Sequence, residues 1–247
     1  MKPGRILAVL LLGGLLAGLA PPLPAEPLSD FQEERKAMIR DIAGHWRSLG
    51  SRLEAGPDAQ VLGAMANTPR HLFVPDHLRK RAYEDRPLPI GHGQTISQPF
   101  IVALMTQLLE TGPDDVVLEV GTGSGYQAAV LSPLVAEVYT IEIIPQLAEQ
   151  ARRRLERLHL ENVQVRTGDG YYGWEEHAPF DAVVVTAAAD HVPPPLVRQL
   201  KPGGRMVIPV GSPFTVQQLM LVEKHEDGSV TNRQLLPVAF VPLTGKH

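Results

Sequence analysis

Leu118-Glu119-Val120-Gly121-Thr122-Gly123-Ser124-Gly125 is the stretch that decides the fold. Val116 to Val120 is a short apolar run broken only by Glu119, which predicts a strand buried on both faces. Tyr126 to about Leu134 predicts a helix. Between them, Gly121, Gly123 and Gly125 let the backbone turn sharply and let a ligand approach the main chain closely. A nucleoside fits such a turn, and a plain glycine-rich connection has the same composition.

Outward from the turn the same alternation repeats. Val138 to Ile143, Val163 to Arg166, Ala182 to Thr186 and Arg205 to Val210 read as further strands, with helices over Pro145 to Leu158 and Leu196 to Leu200. Gln218 to Glu223 and Leu235 to Val241 read as a closing antiparallel pair, because Glu226-Asp227-Gly228 is a hairpin signal. Strands alternating with helices predict a Rossmann-like α/β fold, a mostly parallel sheet with helices on both faces. Upstream, Leu28 to Arg52 spaces Phe31, Met38, Ile42, Trp46 and Leu49 for one buried helical face, Val61 to Met65 reads as a short helix, and Thr68 to Pro75 as a turn into an extended piece.

Composition narrows the function. The 247 residues, 44% hydrophobic and 20% charged, suit one globular domain with an appendage. A net charge of −4 and a pI near 6.1 supply no basic field for a phosphate backbone, so nucleic acid is not an expected partner. The absence of cysteine excludes disulfides, thiolate nucleophiles and Cys-based zinc sites. Nine histidines occur without an H-x-x-x-H or H-x-H pair, so no metal centre is expected.

The amino terminus differs in kind. Lys2 and Arg5 precede an apolar run from Ile6 to Ala20, then Pro21, Pro22, Leu23, Pro24 and Ala25. That is the layout of a secretory signal peptide over 1–25, with cleavage expected after Ala25. The run is short for the ~30 Å of bilayer hydrocarbon, so no stable membrane association is expected after cleavage. The location it predicts is exported or periplasmic; a leader left unused would leave the chain cytoplasmic.

Two acids extend the ligand reading of the glycine turn. Glu142 closes the next strand, just before Ile143, where a carboxylate can accept from both ribose hydroxyls. Asp169, in Gly168-Asp169-Gly170, follows the third strand and would reach an adenine amino group. Either acid alone is more often a loop cap; with Glu119 they stand at successive strand ends. A dinucleotide site wants G-x-G-x-x-G, whereas Tyr126 stands at the place of the last glycine here. Glu119 would repel a pyrophosphate and attract the ammonium of a methionine moiety, which favours S-adenosylmethionine.

Arg70 to Pro75, Tyr83-Glu84-Asp85, Leu88 to Pro99 with its Gly93-Gln94-Thr95-Ile96-Ser97-Gln98-Pro99, the glycine turn, Phe180 to Ala189 and Phe240-Val241-Pro242-Leu243-Thr244 carry a resemblance. Over roughly residues 30 to 245 the chain resembles the protein-L-isoaspartate O-methyltransferase family. The resemblance implies a seven-stranded class I S-adenosylmethionine-dependent methyltransferase fold, with 26–110 as a helical and acceptor-binding segment of the domain whose Rossmann-like core is 111–247. It implies S-adenosylmethionine as donor and isoaspartyl-containing proteins and peptides as acceptors, acted on by a monomer. Ser97 is then the catalytic residue. Gln94, Thr95, Ile96, Glu119, Gly121, Gly123, Gly125, Glu142, Ile143, Asp169, Gly170 and Thr244 border the cofactor, and Ile96, Gln98, Thr186, Ala187, Ala188 and Val241 hold the peptide. The methyl ester formed would collapse to a succinimide without the enzyme and hydrolyse partly to aspartate, which is repair.

Ser97 also reads as the N-cap of an apolar helix over Phe100 to Leu109. An α-carboxylate of pKa ~3.5 is already ionised near neutrality, so the chemistry calls for no general base. Three other readings stand beside this one: an NAD-dependent oxidoreductase, a methyltransferase of small molecules or RNA, and a non-catalytic reader of aged proteins. A Ser-His-Asp hydrolase lacks its G-x-S-x-G elbow.

Overall fold

The computed structural model describes residues 31–50, 56–212 and 216–246; the leader at 1–25 and the extreme ends of the first predicted helix lie outside them. Helix α1 (Gln32–Leu49) buries Met38, Ile42 and Trp46, spaced four apart along one face. Helix α2 (Ala59–Asn67) is capped by Asp58, whose carboxylate accepts from the amides of Gln60 and Val61. Two 3-10 helices, Arg70–Phe73 and Asp76–Arg81, lead to the hairpin of β1 (Leu88–Gly91) and β2 (Gln94–Ile96), and α3 (Pro99–Leu108) follows. No described helix is long and apolar enough to cross a membrane.

The second half is the α/β core. Strand β3 (Val116–Val120) leads to α4 (Tyr126–Leu131), β4 (Glu137–Glu142) to α5 (Pro145–Arg157), and β5 (Val163–Thr167) to β6 (Phe180–Val185). Helix α6 (Pro194–Gln199), β7 (Leu200–Val210), β8 (Gln217–Lys224) and β9 (Val230–Val238) complete it. The seven-stranded sheet has the order β5-β4-β3-β6-β7-β8-β9, parallel from β5 to β7 and antiparallel over the last two pairs. Alternation along β3 sends Val117 into one apolar cluster and Leu118 with Val120 into another, so the sheet is covered on both faces. From β3 the chain builds outward to β4 and β5 on one side, then returns to β6 on the other. That reversal opens a crevice beyond the carboxyl ends of β3 and β6, where ligands of such sheets bind.

Four local expectations need correction. Thr68 to Pro75 is not extended: Leu72 N–H donates to Pro69 at 2.9 Å, and the resulting 3-10 turn carries Arg70, His71 and Phe73 into the core. Helix α4 stops at Leu131, and a 3-10 turn takes over at Ser132–Leu134, because Pro133 has no N–H to continue it. Strand β9 starts at Val230, not Leu235, since the tight turn at Gly228 (φ 82°) lets pairing begin at Lys224 with Val230. Ser97 is not the cap of α3. Gln98 holds that position without a side-chain bond to the helix, and the Asp85 carboxylate accepts the Phe100 amide at 2.8 Å in its place.

Candidate active site

The crevice starts with the glycine turn. Gly121 has φ 97°, and a Cβ there would lie 2.5 Å from the Thr186 hydroxyl, so both its backbone and its neighbour require glycine. Thr186 ties the turn to the end of β6: its amide donates to Val120 at 2.9 Å and its hydroxyl to Gly121 at 2.5 Å. At Gly170 the constraint is close approach, since a Cβ would overlap the Val120 side chain.

Glu142, 5% exposed, closes β4. Its two oxygens accept from Gly123 at 2.7 Å and Ile144 at 3.0 Å, so the carboxylate braces the turn and the start of α5. A carboxylate has about four lone-pair sites, which leaves room for two ribose hydroxyls. Asp169 is differently engaged. It accepts from Tyr171 at 3.1 Å and Lys246 at 3.0 Å, and its neighbour Gly170 is the residue on the crevice wall.

Glu119 is fully buried, and among the described residues neither carboxylate oxygen has a partner in hydrogen-bonding geometry. Burial pushes its pKa up to about 8, opposed by the nearby Thr140 hydroxyl and reinforced by Glu142. The expectation of a standing negative charge is therefore corrected: near neutrality the carboxyl is mostly protonated. Two orphaned buried oxygens on the wall of a crevice still fit a ligand that brings an ammonium, and such a cation would draw the acid into its charged form.

The crevice wall gathers Gln94, Thr95, Ile96, Ser97, Glu119, Gly121, Gly123, Glu142, Ile143, Gly170 and Thr244 from the expected donor and catalytic residues. Gly125 stands behind it, where a Cβ would contact Ala151 and Leu155 of α5. The carboxy-terminal segment forms one wall of the crevice: Ala188 N–H donates to Val241 at 2.8 Å and Leu243 N–H to Ala188 at 2.7 Å, which fixes Val241 to Thr244 along it. Ala187 lines the crevice, whereas Ala188 is a backbone anchor for that wall.

A groove of about 540 Å³ adjoins it, walled by Phe100, Ile101 and Leu236 to Val241, with the polar groups of Thr95, Ser97, Gln98 and Thr186 along it. Ser97, Thr95, Thr186 and Val241 line both spaces. Among the described residues no carboxylate lines the groove, and His45 is its one ionisable residue. The His45 ring packs on Phe100 at 5.2 Å and bonds Asp85, which also accepts from the Gln98 side chain at 3.2 Å. Sequence reading missed His45, Phe100, Tyr126 and Leu243 as wall residues. Tyr126, directly after the turn, had a positional signal; His45 had none.

The protein-L-isoaspartate(D-aspartate) O-methyltransferase family model matches residues 52–247. Protein-L-isoaspartate O-methyltransferase 2 of Syntrophobacter fumaroxidans is 59% identical over 99% of this chain and 98% of its own length. The protein of the same name from Polaromonas sp. is 63% identical over 88% of this chain and its whole length. Among solved structures, a protein-L-isoaspartate O-methyltransferase superposes with a TM-score of 0.74 at 30% identity, covering 85% of this chain and 66% of that one. A Plasmodium falciparum structure in complex with S-adenosyl-L-homocysteine shares the fold, with a TM-score of 0.69 at 24% identity over 85% of this chain and 98% of that one. By the extent of the family match and by identity along nearly its whole length, the chain belongs to the protein-L-isoaspartate(D-aspartate) O-methyltransferase family.

Proposed function

We propose that this chain methylates the α-carboxylate of L-isoaspartyl residues in damaged proteins and peptides, using S-adenosylmethionine, and so initiates their repair. The observation that carries the reading is the position of Ser97 where the crevice and the groove meet. The crevice suits an adenosyl nucleoside with an amino-acid tail: Glu142 for the ribose, Gly170 beside the base, and the orphaned Glu119 carboxyl for the ammonium. The groove suits an extended peptide, with backbone and hydroxyl groups along an apolar wall.

S-adenosylmethionine supplies an electrophilic methyl group on a sulfonium. The remaining work is placement. Ser97 Oγ–H donates to one oxygen of the acceptor carboxylate and leaves the other free to attack. Gln98 and Thr186 steady the peptide, with Ile96 and Ala187 beside them. The wall of Val241 to Thr244 narrows the space around the meeting point, where opposite charges neutralise as the methyl moves. No side chain has to take a proton, and among the described residues the groove offers no carboxylate to do so. Residues 1–25 act as an export signal, and the mature chain is a monomer that holds to no membrane; amino-terminal sequencing of the protein from fractionated cells tests the export.

The test of the activity is tritium transfer from methyl-labelled S-adenosylmethionine to an isoaspartyl peptide and to its aspartyl twin. Base-labile label on the first peptide alone is the expected result. Equal labelling of both, or of neither, removes the reading.

A further inference from the structure

Arg70 opens the 3-10 turn Arg70–Phe73 and is fully buried. A guanidinium stays charged in proteins, so its burial is costly unless its surroundings answer the charge. Among the described residues no carboxylate forms an ion pair with it. Its Nε donates to the Ala82 carbonyl at 2.7 Å and its Nη2 to the Ser97 carbonyl at 2.6 Å. The guanidinium carbon lies 4.6 Å from the centre of the Tyr126 ring, a cation–π contact.

Those partners are unlike in origin and alike in consequence. Ser97 sits in the connection between β2 and α3. On its upstream side Ile96 is fixed by pairing with Leu88, and on its downstream side the Phe100 amide is fixed by Asp85. The Ser97 carbonyl between these anchors is held by Arg70, through a short charge-assisted bond. Tyr126 is the first residue of α4, directly after the glycine turn, and lines the crevice. One guanidinium thus touches the segment that carries the catalytic hydroxyl and the helix that opens from the donor-binding turn.

We infer that Arg70 is a positioning residue that sets the spacing between Ser97 and the donor crevice. The inference rests on the function proposed above, and it follows from how steeply methyl transfer depends on alignment: a displacement of about 1 Å can cost about a hundredfold in rate. Arg70 touches neither space's contents. Its effect runs through the Ser97 peptide and the Tyr126 ring.

The experiment compares wild type, Arg70→Lys and Arg70→Met by kcat and KM for both substrates, calorimetric Kd for S-adenosylhomocysteine, and Tm. Arg70→Met, which removes both donors, is expected to lower kcat by at least about tenfold while the cofactor Kd stays within about twofold. Arg70→Lys, which keeps the cation, is expected to recover part of that loss. A folded Arg70→Met variant with kcat within about twofold of wild type overturns the inference. So does a parallel fall of kcat, cofactor affinity and Tm, which marks a structural role alone. If Arg70→Met does not fold, Arg70→Lys decides: lowered kcat at unchanged cofactor Kd supports the inference, and unchanged kcat overturns it. Transfer by wild type with unaffected variants sinks the inference alone, whereas no transfer by wild type sinks the proposed function and takes the inference with it.

Discussion

The donor crevice and the acceptor groove share Ser97 yet are built in opposite ways. The crevice is made chiefly at the carboxyl ends of adjacent parallel strands, so the residues of its floor come from short turns at fixed points of a regular topology, with Gln94 to Ser97 and Val241 to Thr244 added from outside it. The groove is gathered from α1, Pro87, β2 and the start of α3, Thr186, and the end of β9 with the segment after it, pieces held side by side through long-range contacts. The crevice should therefore fail sharply at single backbone positions, whereas the groove should lose function gradually as its supports are removed.

The largest effect is expected in the glycine turn. Gly121→Val places a branched side chain where a Cβ already lies 2.5 Å from the Thr186 hydroxyl, at a φ of 97°. Calorimetry with S-adenosylhomocysteine should show affinity reduced about a hundredfold or more, from strain of about 1–3 kcal/mol combined with a displaced turn. Retained affinity would show that the turn tolerates movement and would erase the contrast with the groove.

Next is Ser97→Ala. It removes a hydroxyl at the junction of crevice and groove, where the proposed function seats the acceptor, so kcat should fall about ten- to a hundredfold while cofactor affinity changes by less than about twofold. A large loss of cofactor binding would instead assign Ser97 to the crevice alone.

Glu119 gives a smaller effect with a distinctive pH dependence. Its folded pKa of about 8 lies above the ordinary carboxylate value, so the native state keeps a proton that the unfolded chain has released. Stability from this group is complete below the unfolded pKa and falls as pH rises toward about 8. On the proposed contact with Glu119, cofactor binding runs the other way, because an ammonium favours the ionised carboxyl: affinity should rise from pH 6 to 8, by at most about tenfold per unit. Glu119→Gln should flatten that slope and weaken binding about tenfold. A slope that survives the substitution would mean another group carries it.

The smallest effect belongs to the groove's support. Asp85→Ala removes the bonds to His45, Gln98 and the Phe100 amide. Urea unfolding should report a loss of about 1–2 kcal/mol, typical of a helix cap, with KM for the peptide raised a few fold and cofactor Kd unchanged. A matching rise in cofactor Kd would show that the two regions are coupled more tightly than their construction suggests.

The same contrast explains what could be read from the chain. Strand β3 falls where its apolar run predicts, and β4 and β6 fall within a residue or two, because strands buried on both faces are written in local composition. The glycine turn was legible for the same reason. Edge strand β5, only partly buried, is read from its alternation with the helices. Ser97 was singled out by family resemblance, and its supposed capping role failed because Asp85, distant in sequence, supplies the bond. The protonation of Glu119 was hidden, since burial is a property of the packed sheet and not of the residue. Arg70 looked like part of a turn; only the fold brings its guanidinium to Ser97 and Tyr126.

The most direct test of Ser97 as the meeting point is a crystal structure with sinefungin and an isoaspartyl peptide bound together. The expected result has the Ser97 hydroxyl within about 2.6–3.2 Å of an acceptor carboxylate oxygen, that carboxylate pointing at the inhibitor's amine-bearing carbon, and Glu119 facing the methionine-like ammonium. A peptide carboxylate seated away from Ser97, or an inhibitor seated away from Glu119 and Glu142, would contradict it.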